Sequence, residues 1–379
     1  MSPNLFIAAL SLAVWGTAAL VLARGSRRIG FLRDVPPQAG PKVSLVVAAR
    51  NEERNLREAL SSLLAQDYPQ LEYVVVDDRS EDSTPRILAE MAAHCPRLRP
   101  VRVDELPPGW LGKNHALWHG AESATGEILL FTDADVVMAP DTVSRAVSLF
   151  QRDKLDHLAV TPETIMPSHF LGMFTVAFGM VFFLFTRAWK VRDPRSSAHI
   201  GIGAFNMVRR SAYLACGGHS TIRLRPDDDL KLGRVLKMRG FRQEVAYGTG
   251  LVRVEWYASL GELVRGLEKN AFAGVDYSIP MAVGGALTQL LCSVWPFLGL
   301  FSGGVPALIY AATCAVILAA AADTIGFHGG RRWYALGFPA AALLFAFIVL
   351  RTTFLNLLHG GITWRGTFYS LKELRSNRV

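Results

Sequence analysis

Long uncharged apolar runs lie at the two ends of the chain. The runs are residues 4–23, 281–303, 304–322 and 334–350. About 20 consecutive apolar residues are enough to cross the hydrocarbon core of a bilayer as a helix. The pattern predicts an N-terminal transmembrane anchor over residues 1–24, further transmembrane helices within 281–358, and a basic tail over 359–379.

Between these runs, short β-branched stretches alternate with helical patterns. The predicted strands are residues 43–49, 73–78, 99–103 and 127–135. Helical patterns follow at 51–66, with Asn51 as the cap, and at 84–94. Strands that alternate with helices predict an α/β domain with a mostly parallel sheet. We assign this domain to residues 43–280 and a basic linker to residues 25–42.

One further apolar run, residues 169–189, interrupts the α/β domain. If this run crossed the membrane, the acidic residues before it and those after it would lie on opposite sides and could not form one site. We therefore predict a helix that lies in the membrane interface and opens the site to lipid. A buried core helix is the alternative.

Charge refines the membrane assignment. Four arginines follow the first apolar run: Arg24, Arg27, Arg28 and Arg33. A signal peptide is basic before its apolar region, so this order predicts a retained anchor whose C-terminal flank is cytoplasmic. The net charge of +8 favours an anionic lipid surface over nucleic acid as the partner. We expect a multi-pass protein of the inner (plasma) membrane.

The C-terminal part poses a problem of topology. Three spans after a cytoplasmic domain would place the C-terminus outside, whereas the basic tail favours the inside. Either residues 281–322 contain one span and a re-entrant piece, or another segment does not cross. The four cysteines include no CxxC pair, which gives no indication of a zinc site or a disulfide framework.

Charged side chains cluster where the predicted strands end. They are Arg50 and Glu52 after the first strand, Asp77 and Asp78 at the end of the second, and Asp133 and Asp135 at the end of the last. Ligands of open parallel sheets bind at the carboxyl ends of the strands. The first strand has no GxGxxG after it, so a dinucleotide cofactor is not expected.

Two groups of acids, one at a strand end and one at the start of a helix, indicate specific chemistry. Asp133 and Asp135 alternate along the predicted strand, so both carboxylates would face one Mg²⁺ or Mn²⁺ ion held together with substrate phosphates. The alternative is a polar strand exit. In residues 226–240 (PDDDLKLGRVLKMRG) three acids begin a helix. They either complement the helix dipole or include a catalytic base.

The segments VVAARNEERNLREALSSLLAQDYPQLEYVVVDDRSEDST, GWLGKNHAL and ILLFTDAD, in this order, resemble the family 2 glycosyltransferases over about residues 43–270. The membrane-anchored layout is similar to that of ceramide glucosyltransferases and, more closely, of hopene-associated and carotenoid-type bacterial enzymes. The resemblance implies a nucleotide-binding GT-A fold, a UDP- or GDP-sugar donor and a lipid acceptor at the membrane.

The resemblance also implies roles for individual residues. Ala49, Arg50 and Glu52 would line the base and ribose, Asp78 would bind the base, Lys113 would lie near the nucleotide, and Asp133 and Asp135 would form the metal-binding DxD motif. Asp229 would be the catalytic base, with Asp228 as the second candidate. Lys269 stands where many members have the Arg of QxxRW, and Asn270 replaces the Trp.

Two other functions remain open from the sequence. A processive polysaccharide synthase shares the fold, but it typically keeps the QxxRW motif. A non-enzymatic membrane carrier would place ionisable residues inside its spans, whereas Asp323 and Arg351 lie at the ends of the apolar runs. The sequence therefore favours a lipid glycosyltransferase with one catalytic base, no protein nucleophile and inversion at the anomeric carbon.

Overall fold

The computed structural model describes residues 2–379, and the chain folds into two compact units. The helical unit consists of the residues up to Arg28, Thr164–Arg187 and Trp256–Ser376. The sheet unit consists of Ile29–Glu163, Ala188–Glu255 and Asn377–Val379. The chain therefore passes back and forth between the two units.

The strands are β1 (Gly30–Phe31), β2 (Val43–Ala49), β3 (Leu71–Asp78), β4 (Leu98–Val103), β5 (Ile128–Asp133), β6 (Val136–Met138), β7 (His157–Thr161), β8 (Glu163–Ile165), β9 (Asn206–Arg209), β10 (Gln243–Tyr247), β11 (Val252–Glu255), β12 (Gly361–Trp364) and β13 (Thr367–Ser370).

The helices are α1 (Pro3–Ser26), α2 (Leu56–Leu64), α3 (Thr84–His94), α4 (Gly112–Ser123), α5 (Thr142–Arg152), α6 (His169–Thr186), α7 (Arg210–Ala215), α8 (Asp228–Met238), α9 (Leu260–Glu268), α10 (Ile279–Gln289), α11 (Trp295–Gly299), α12 (Gly304–His328), α13 (Phe338–Leu358) and α14 (Leu371–Ser376).

Eight strands form the main sheet, in the order β1-β10-β7-β9-β5-β2-β3-β4. Strand β9 runs antiparallel to its neighbours β5 and β7, and the other neighbouring pairs are parallel. The mostly parallel sheet predicted from the sequence is therefore confirmed. A smaller sheet has the order β6-β11-β8.

Apolar side chains cover both faces of the main sheet. On one face α2, α3 and α5 pack against Leu45 and Val75 of the central strands. On the other face α4, α7 and α8 pack against Val46 and Val74. Because both faces are buried, the central strands are almost continuously apolar instead of alternating with polar residues. The result is a three-layer α/β/α arrangement.

The first helix of the sheet unit begins later than the sequence analysis predicted. Asn51 has a φ of 55°, in the left-handed region, and its side-chain oxygen accepts a hydrogen bond from the Glu81 backbone N–H (2.8 Å). Asn51 thus ties the loop after β2 to the loop after β3 and does not cap a helix. Helix α2 begins at Leu56, with Asn55 in the cap position.

Five helical segments of the described chain are long and apolar enough to cross a membrane. They are Pro3–Ser26, His169–Lys190, Ile279–Ser302, Gly304–His328 and Arg332–Leu358. The third contains α10 and α11, joined by a π-helical turn over Leu290–Val294. A turn at Gly303 and Gly304, with φ values of 73° and 59°, separates it from α12.

Helices α1 and α12 lie side by side and run parallel. Near their N-terminal ends, the Tyr310 hydroxyl donates to the side-chain oxygen of Asn4 (2.8 Å). Near their C-terminal ends, Arg27 forms an ion pair with Asp323, with 2.7 Å between Nη2 and Oδ1. The two contacts join corresponding ends, which fixes the parallel direction.

Helix α8 packs unusually close to the segment before β9. A Cβ atom added at Gly233 would overlap the carbonyl oxygen of Ile200, and one at Gly201 would overlap the carbonyl oxygen of Asp229. Only glycine permits such a backbone-to-backbone approach. The two glycines therefore set the distance between α8 and residues 200–203.

We expect Gly233→Ala to destabilise the sheet unit by about 1–3 kcal/mol, the usual cost of overpacking an interior, because a backbone carbonyl cannot rotate away from the new methyl group. Gly326→Ala is the matched control, since nothing lies within 4 Å of a Cβ there and alanine has the higher helix propensity. Thermal unfolding midpoints of the detergent-solubilised protein report both effects. A wild-type midpoint for Gly233→Ala would contradict the close approach.

Candidate active site

The carboxyl ends of three neighbouring strands lie level at one edge of the main sheet. In the register of β2 with β3, Ala49 lies opposite Asp77, and in that of β2 with β5, Ala48 lies opposite Asp133. The predicted grouping of polar side chains at this edge is therefore present. The side chain of Ala49 itself is buried in the core, so only its backbone can face the edge.

The two acids that end β3 have different partners. Asp77 Oδ1 accepts a hydrogen bond from the Ser80 backbone N–H (3.1 Å) and so holds the turn after the strand. Asp78 is buried and pairs with Arg79, whose Nε lies 2.8 Å from Oδ1. Arg50 Nη1 lies 3.9 Å from Asp78 Oδ2. Arg50 and Asp78, both predicted to contact the nucleotide, therefore lie together at the sheet edge.

The loop after β2 is fixed by backbone contacts to the start of α3. The Glu52 backbone N–H donates to Thr84 Oγ1 (2.9 Å). This contact fixes the backbone of Glu52 beside the strand ends. The charge of Glu52 also acts on Asp135: burial, followed by the charges of Asp133 and Glu52, raises the pKa of Asp135 to about 7. Glu52 is thus part of the same concentration of negative charge.

Lys113, near the start of α4, lies among the acids of the site. Its Nζ is 2.9 Å from Asp133 Oδ1 and 3.4 Å from Asp228 Oδ1. Burial would lower the pKa of the Lys113 ammonium, but the charges of Asp133, Asp228 and Asp229 outweigh burial and raise that pKa above its ordinary value. Lys113 therefore stays protonated among these carboxylates.

The structure corrects the geometry expected for the DxD pair. Strand β5 ends at Asp133, and Asp135 lies in the turn before β6, so the two acids do not share a strand face. The chain turns here because β6 leaves the main sheet to pair with β11. The turn still leaves Asp135 close enough for Asp133 to raise its pKa.

The DxD pair meets the requirements of a cation site. Asp135 Oδ1 is buried and has no hydrogen-bond donor among residues 2–379. A buried carboxylate oxygen beside a second carboxylate suits a divalent cation, which prefers oxygen ligands. Within that range, no group of three or more His, Cys, Asp or Glu residues could hold a metal by itself. The donor set therefore fits Mg²⁺ or Mn²⁺ that completes its coordination with phosphates and water.

The three consecutive acids at the start of α8 have three different environments. Asp227 forms a two-pronged ion pair with the buried Arg225, with distances of 2.9 and 3.0 Å. Asp228 faces Lys113. Asp229 accepts hydrogen bonds from the backbone N–H groups of Gly203 (2.7 Å) and Leu230 (2.8 Å). The acids are thus divided between the core, the lysine and the segment before β9.

Asp229 has the properties of a proton acceptor near neutral pH. Burial, followed by the charge of Asp228, raises the pKa of its carboxyl group to about 7, although Lys113 and the Leu230 N–H oppose the change. A catalytic base works best with a pKa near the operating pH. Asp228, which faces the lysine ammonium at 3.4 Å, is the less suitable of the two.

Gly203 connects the two acidic centres, although no role for it was predicted from the sequence. Its N–H binds Asp229, and its carbonyl oxygen accepts a hydrogen bond from the Asp133 N–H (3.1 Å). A Cβ at this position would lie 2.6 Å from Asp133 Oδ2 and 3.5 Å from Asp229 Oδ2. Glycine is therefore required here to keep both carboxylates in place. The only signal in the sequence was the pair of glycines at 201 and 203 before the strand.

His219 is not part of this cluster of acids. The His219 ring is buried, its Nδ1 is 2.9 Å from the Tyr213 hydroxyl, and burial lowers its pKa to about 3, so it is a neutral core residue. Lys269 belongs to the helical unit, at the C-terminal end of α9, where its Nζ lies 4.5 Å from the ring centroid of Trp364. Its contact with a diphosphate stays a prediction.

Acids at level strand ends, a central lysine and an acid pair suited to a cation are typical of enzymes that bind nucleotide phosphates. Residues 44–216 match the family model described as glycosyl transferase family 2. The chain therefore contains a family 2 glycosyltransferase domain, and the resemblance inferred from the motifs is confirmed.

Two curated relatives are enzymes that act on lipid-type substrates. The 4,4'-diaponeurosporenoate glycosyltransferase of Staphylococcus haemolyticus is 24% identical over 63% of this chain and 63% of its own length. The beta-monoglucosyldiacylglycerol synthase of Trichormus variabilis is 33% identical over 50% of this chain and 40% of its own. The matches therefore span less than two thirds of the length of both relatives.

A solved structure is similar over nearly the whole chain. It is the mannosyltransferase PcManGT from Pyrobaculum calidifontis, in complex with GDP-Man and Mn²⁺. The TM-score is 0.58, the identity is 22%, and the match covers 94% of this chain and 99% of the other. The predicted GT-A fold is thus confirmed.

We expect Asp227→Asn to destabilise the protein by about 3–5 kcal/mol, because it removes the carboxylate that forms the two-pronged ion pair with the buried Arg225 guanidinium. Asp104→Asn is a closely matched control: Arg102 and Asp104 form an ion pair at the same sequence spacing, but at the surface, where such pairs contribute about 0–1 kcal/mol. Chemical denaturation of both variants measures the difference. Equal losses would show that the Arg225–Asp227 pair is not structural.

Proposed function

We propose that the protein is an inverting glycosyltransferase that moves a sugar from a UDP- or GDP-sugar to a membrane lipid. The acceptor class is hopanoid, carotenoid, sphingoid or polyprenyl lipid, and the reaction takes place at the cytoplasmic face of the inner membrane. The observation that carries the proposal is the cluster of Lys113, Asp133 and Asp229 at the carboxyl edge of the sheet, within a family 2 domain.

In this proposal the nucleotide lies across the ends of β2 and β3. Asp78 binds the base, and Arg50, Glu52 and the backbone of Ala49 line the base and ribose. Arg50 lies 3.9 Å from Asp78, which supports a common role for the two side chains. The Lys113 ammonium, already surrounded by carboxylates, offers a fixed positive charge to the phosphates. Lys269 is the candidate for a second phosphate contact.

Asp133 and Asp135 would hold the divalent cation. When bound, Mg²⁺ or Mn²⁺ neutralises negative charge on the departing diphosphate. The buried and unpaired Oδ1 of Asp135 supports this assignment.

The acceptor is activated by Asp229. Its carboxylate takes the proton of the acceptor hydroxyl while the hydroxyl oxygen forms a bond to the anomeric carbon of the sugar. The bond from that carbon to the phosphate oxygen breaks, and the nucleoside diphosphate leaves with its electron pair. A single displacement of this kind inverts the anomeric centre. The N–H groups of Gly203 and Leu230 orient the carboxylate.

The lipid nature of the acceptor rests on two independent observations. The names of two relatives specify a carotenoid acid and a glycosylated diacylglycerol. Five segments of the described chain are also apolar and long enough for a bilayer. A processive synthase is the alternative enzyme, and it would extend the product beyond one sugar. A membrane carrier would bind no nucleotide sugar.

We expect Asp229→Asn to lower kcat by about 10²–10⁴-fold, the usual contribution of a positioned base. The asparagine side chain can still accept the Gly203 hydrogen bond, so the thermal unfolding midpoint should change little. Transfer of labelled sugar from a panel of UDP- and GDP-sugars to polyprenyl or sphingoid lipid is the measurement.

A comparison with Asp228→Asn distinguishes which of the two acids is the catalytic base. This substitution removes a charge next to Lys113 and keeps the proposed base, so its loss of kcat should be the smaller one. A larger loss for Asp228→Asn would reverse the assignment of the base. Full transfer activity in Asp229→Asn would exclude it from the reaction.

We expect chelation by EDTA to abolish transfer, and Mn²⁺ or Mg²⁺ to restore it. Asp135→Asn should raise the metal concentration for half-maximal rate by at least about tenfold, because it removes one of two protein ligands. Calorimetric titration with the donor, with and without Mn²⁺, gives a readout that does not depend on turnover. If donor binding and sugar transfer were both unchanged by EDTA, this result would contradict the metal site.

A further inference from the structure

The path of the chain constrains how the protein lies in a membrane. The chain passes between the two units five times, after residues 28, 163, 187, 255 and 376. An open sheet with free edges cannot lie in hydrocarbon, because its unpaired backbone groups would be unsatisfied there. The sheet unit therefore lies on one side of the membrane, and so do all five passages. Each chain segment that leaves the sheet unit and returns to it must therefore cross the bilayer an even number of times.

This parity settles the position of α6. The segment Thr164–Arg187 leaves the sheet unit and returns to it with a single long helix. A single helix can cross the membrane once or not at all, and only zero crossings is an even number. Although α6 has the length and composition of a transmembrane span, it must therefore stay on the side of the sheet unit.

The same parity applies to the segment Trp256–Ser376. It contains three helical segments that are long and apolar enough to cross, of which only two can do so: Ile279–Ser302, Gly304–His328 and Arg332–Leu358. The chain must return at residue 377, since Asn377 is held in the sheet unit by hydrogen bonds with Thr221 and Leu224.

The parallel pair of α1 and α12 identifies the segment that does not cross. The C-terminal end of α1 leads directly into the sheet unit at Ile29, so this end lies on the sheet-unit side. The ion pair of Arg27 with Asp323 places the C-terminal end of α12 on the same side. The segment with α10 and α11 thus crosses the membrane away from the sheet-unit side, and α12 crosses it back. Since this segment of the chain can cross only twice, α13 does not cross.

Both ends of α13 contact elements that do not cross. At its start, a Cβ at Gly337 would overlap the side chain of Met173 on α6, and the Phe345 ring lies 5.9 Å from that of Phe178. Towards its end, Arg351 forms an ion pair with Glu268 of α9, which precedes the first crossing. In a transmembrane α13 this charged pair would be inside the hydrocarbon, at a considerable energetic cost.

The distribution of charge agrees with this path. The far ends of α1, α11 and α12, at residues 2–6 and 299–306, contain no charged side chain. Basic residues lie at the near ends and in the tail: Arg24, Arg27, Arg28, Arg331, Arg332, Arg365, Lys372, Arg375 and Arg378. Clusters of Lys and Arg stay on the cytoplasmic side. With this path the basic C-terminal tail stays on the cytoplasmic side and does not have to be moved across the membrane.

We propose that α6 and α13 form an interfacial platform, a surface that lies within the leaflet on the side of the sheet unit, and that its partner is the lipid of that leaflet. Large apolar side chains cover the platform in the isolated chain: Phe185, Leu343, Phe347, Phe354 and Leu358 are more than half exposed. Acyl chains and the apolar body of an acceptor lipid match this surface. The inference rests on the membrane location proposed above, and not on the sugar or the catalytic base.

Single-cysteine labelling tests the path directly. The native Cys95, Cys216, Cys292 and Cys314 are replaced by serine or alanine, and cysteine is introduced as Ser302→Cys or Lys372→Cys. A membrane-impermeant maleimide on right-side-out vesicles should label Ser302→Cys and leave Lys372→Cys unlabelled until the vesicles are permeabilised. Labelling of Lys372→Cys in sealed vesicles would mean that α13 crosses. Protection of Ser302→Cys would mean that α12 does not.

Contact with lipid is tested separately, with a fluorophore on Phe185→Cys or Phe354→Cys in reconstituted vesicles. Lipids with a nitroxide near the headgroup should quench both probes, and aqueous iodide should not. Leu214→Cys is the matched control, because Leu214 is an exposed leucine of the sheet unit and should show the opposite pattern. Quenching of the platform probes by iodide would overturn the proposal. Neither experiment requires glycosyl transfer, so failure of the platform and failure of the proposed function are distinguishable.

Discussion

The candidate active site depends on one ammonium group placed among several carboxylates. Lys113 lies within ion-pair distance of Asp133 and Asp228, and its charge also acts on Asp229. Without this cation, the acids at the strand ends would repel one another, and burial would favour their protonation. The lysine thus keeps anionic groups concentrated at the edge where, in the proposed function, an anionic diphosphate also binds. A divalent cation held by Asp133 and Asp135 would serve the same purpose.

The second requirement is a close approach of two segments that are distant in sequence. Gly201 and Gly233 allow α8 and the segment before β9 to touch through their backbones, and Gly203 then lies between Asp133 and Asp229. This packing brings the end of β5 and the start of α8 into one site. The hydrogen bond from the Gly203 N–H fixes the orientation of the Asp229 carboxylate. Steric fit in the backbone therefore determines the orientation of the carboxylate that we propose as the proton acceptor.

The membrane part is governed by a different constraint, the parity of the chain path. Hydropathy alone selects five segments, because length and composition are all that it measures. In the proposed path of the chain, only three of them cross. The basic tail and the three C-terminal apolar runs, which conflicted in the sequence, become compatible once α13 is an interfacial helix. If the acceptor is a membrane lipid, as proposed, this arrangement gives the enzyme a surface within the leaflet that contains the acceptor.

The sequence by itself determined the class of fold and the edge at which the site forms. Apolar runs such as 43–49 fix the strands, and acids that directly follow such runs can only lie at the strand ends, since period and burial are local properties. Tertiary structure decided the rest. Asn51 turned out to bridge two loops, Asp135 to lie in a turn, and Asp227, Asp228 and Asp229 to have three separate partners. The contacts of Asn51 with Glu81, of Asp228 with Lys113 and of Asp229 with Gly203 join segments that are distant in sequence. A local pattern contains no information on such contacts.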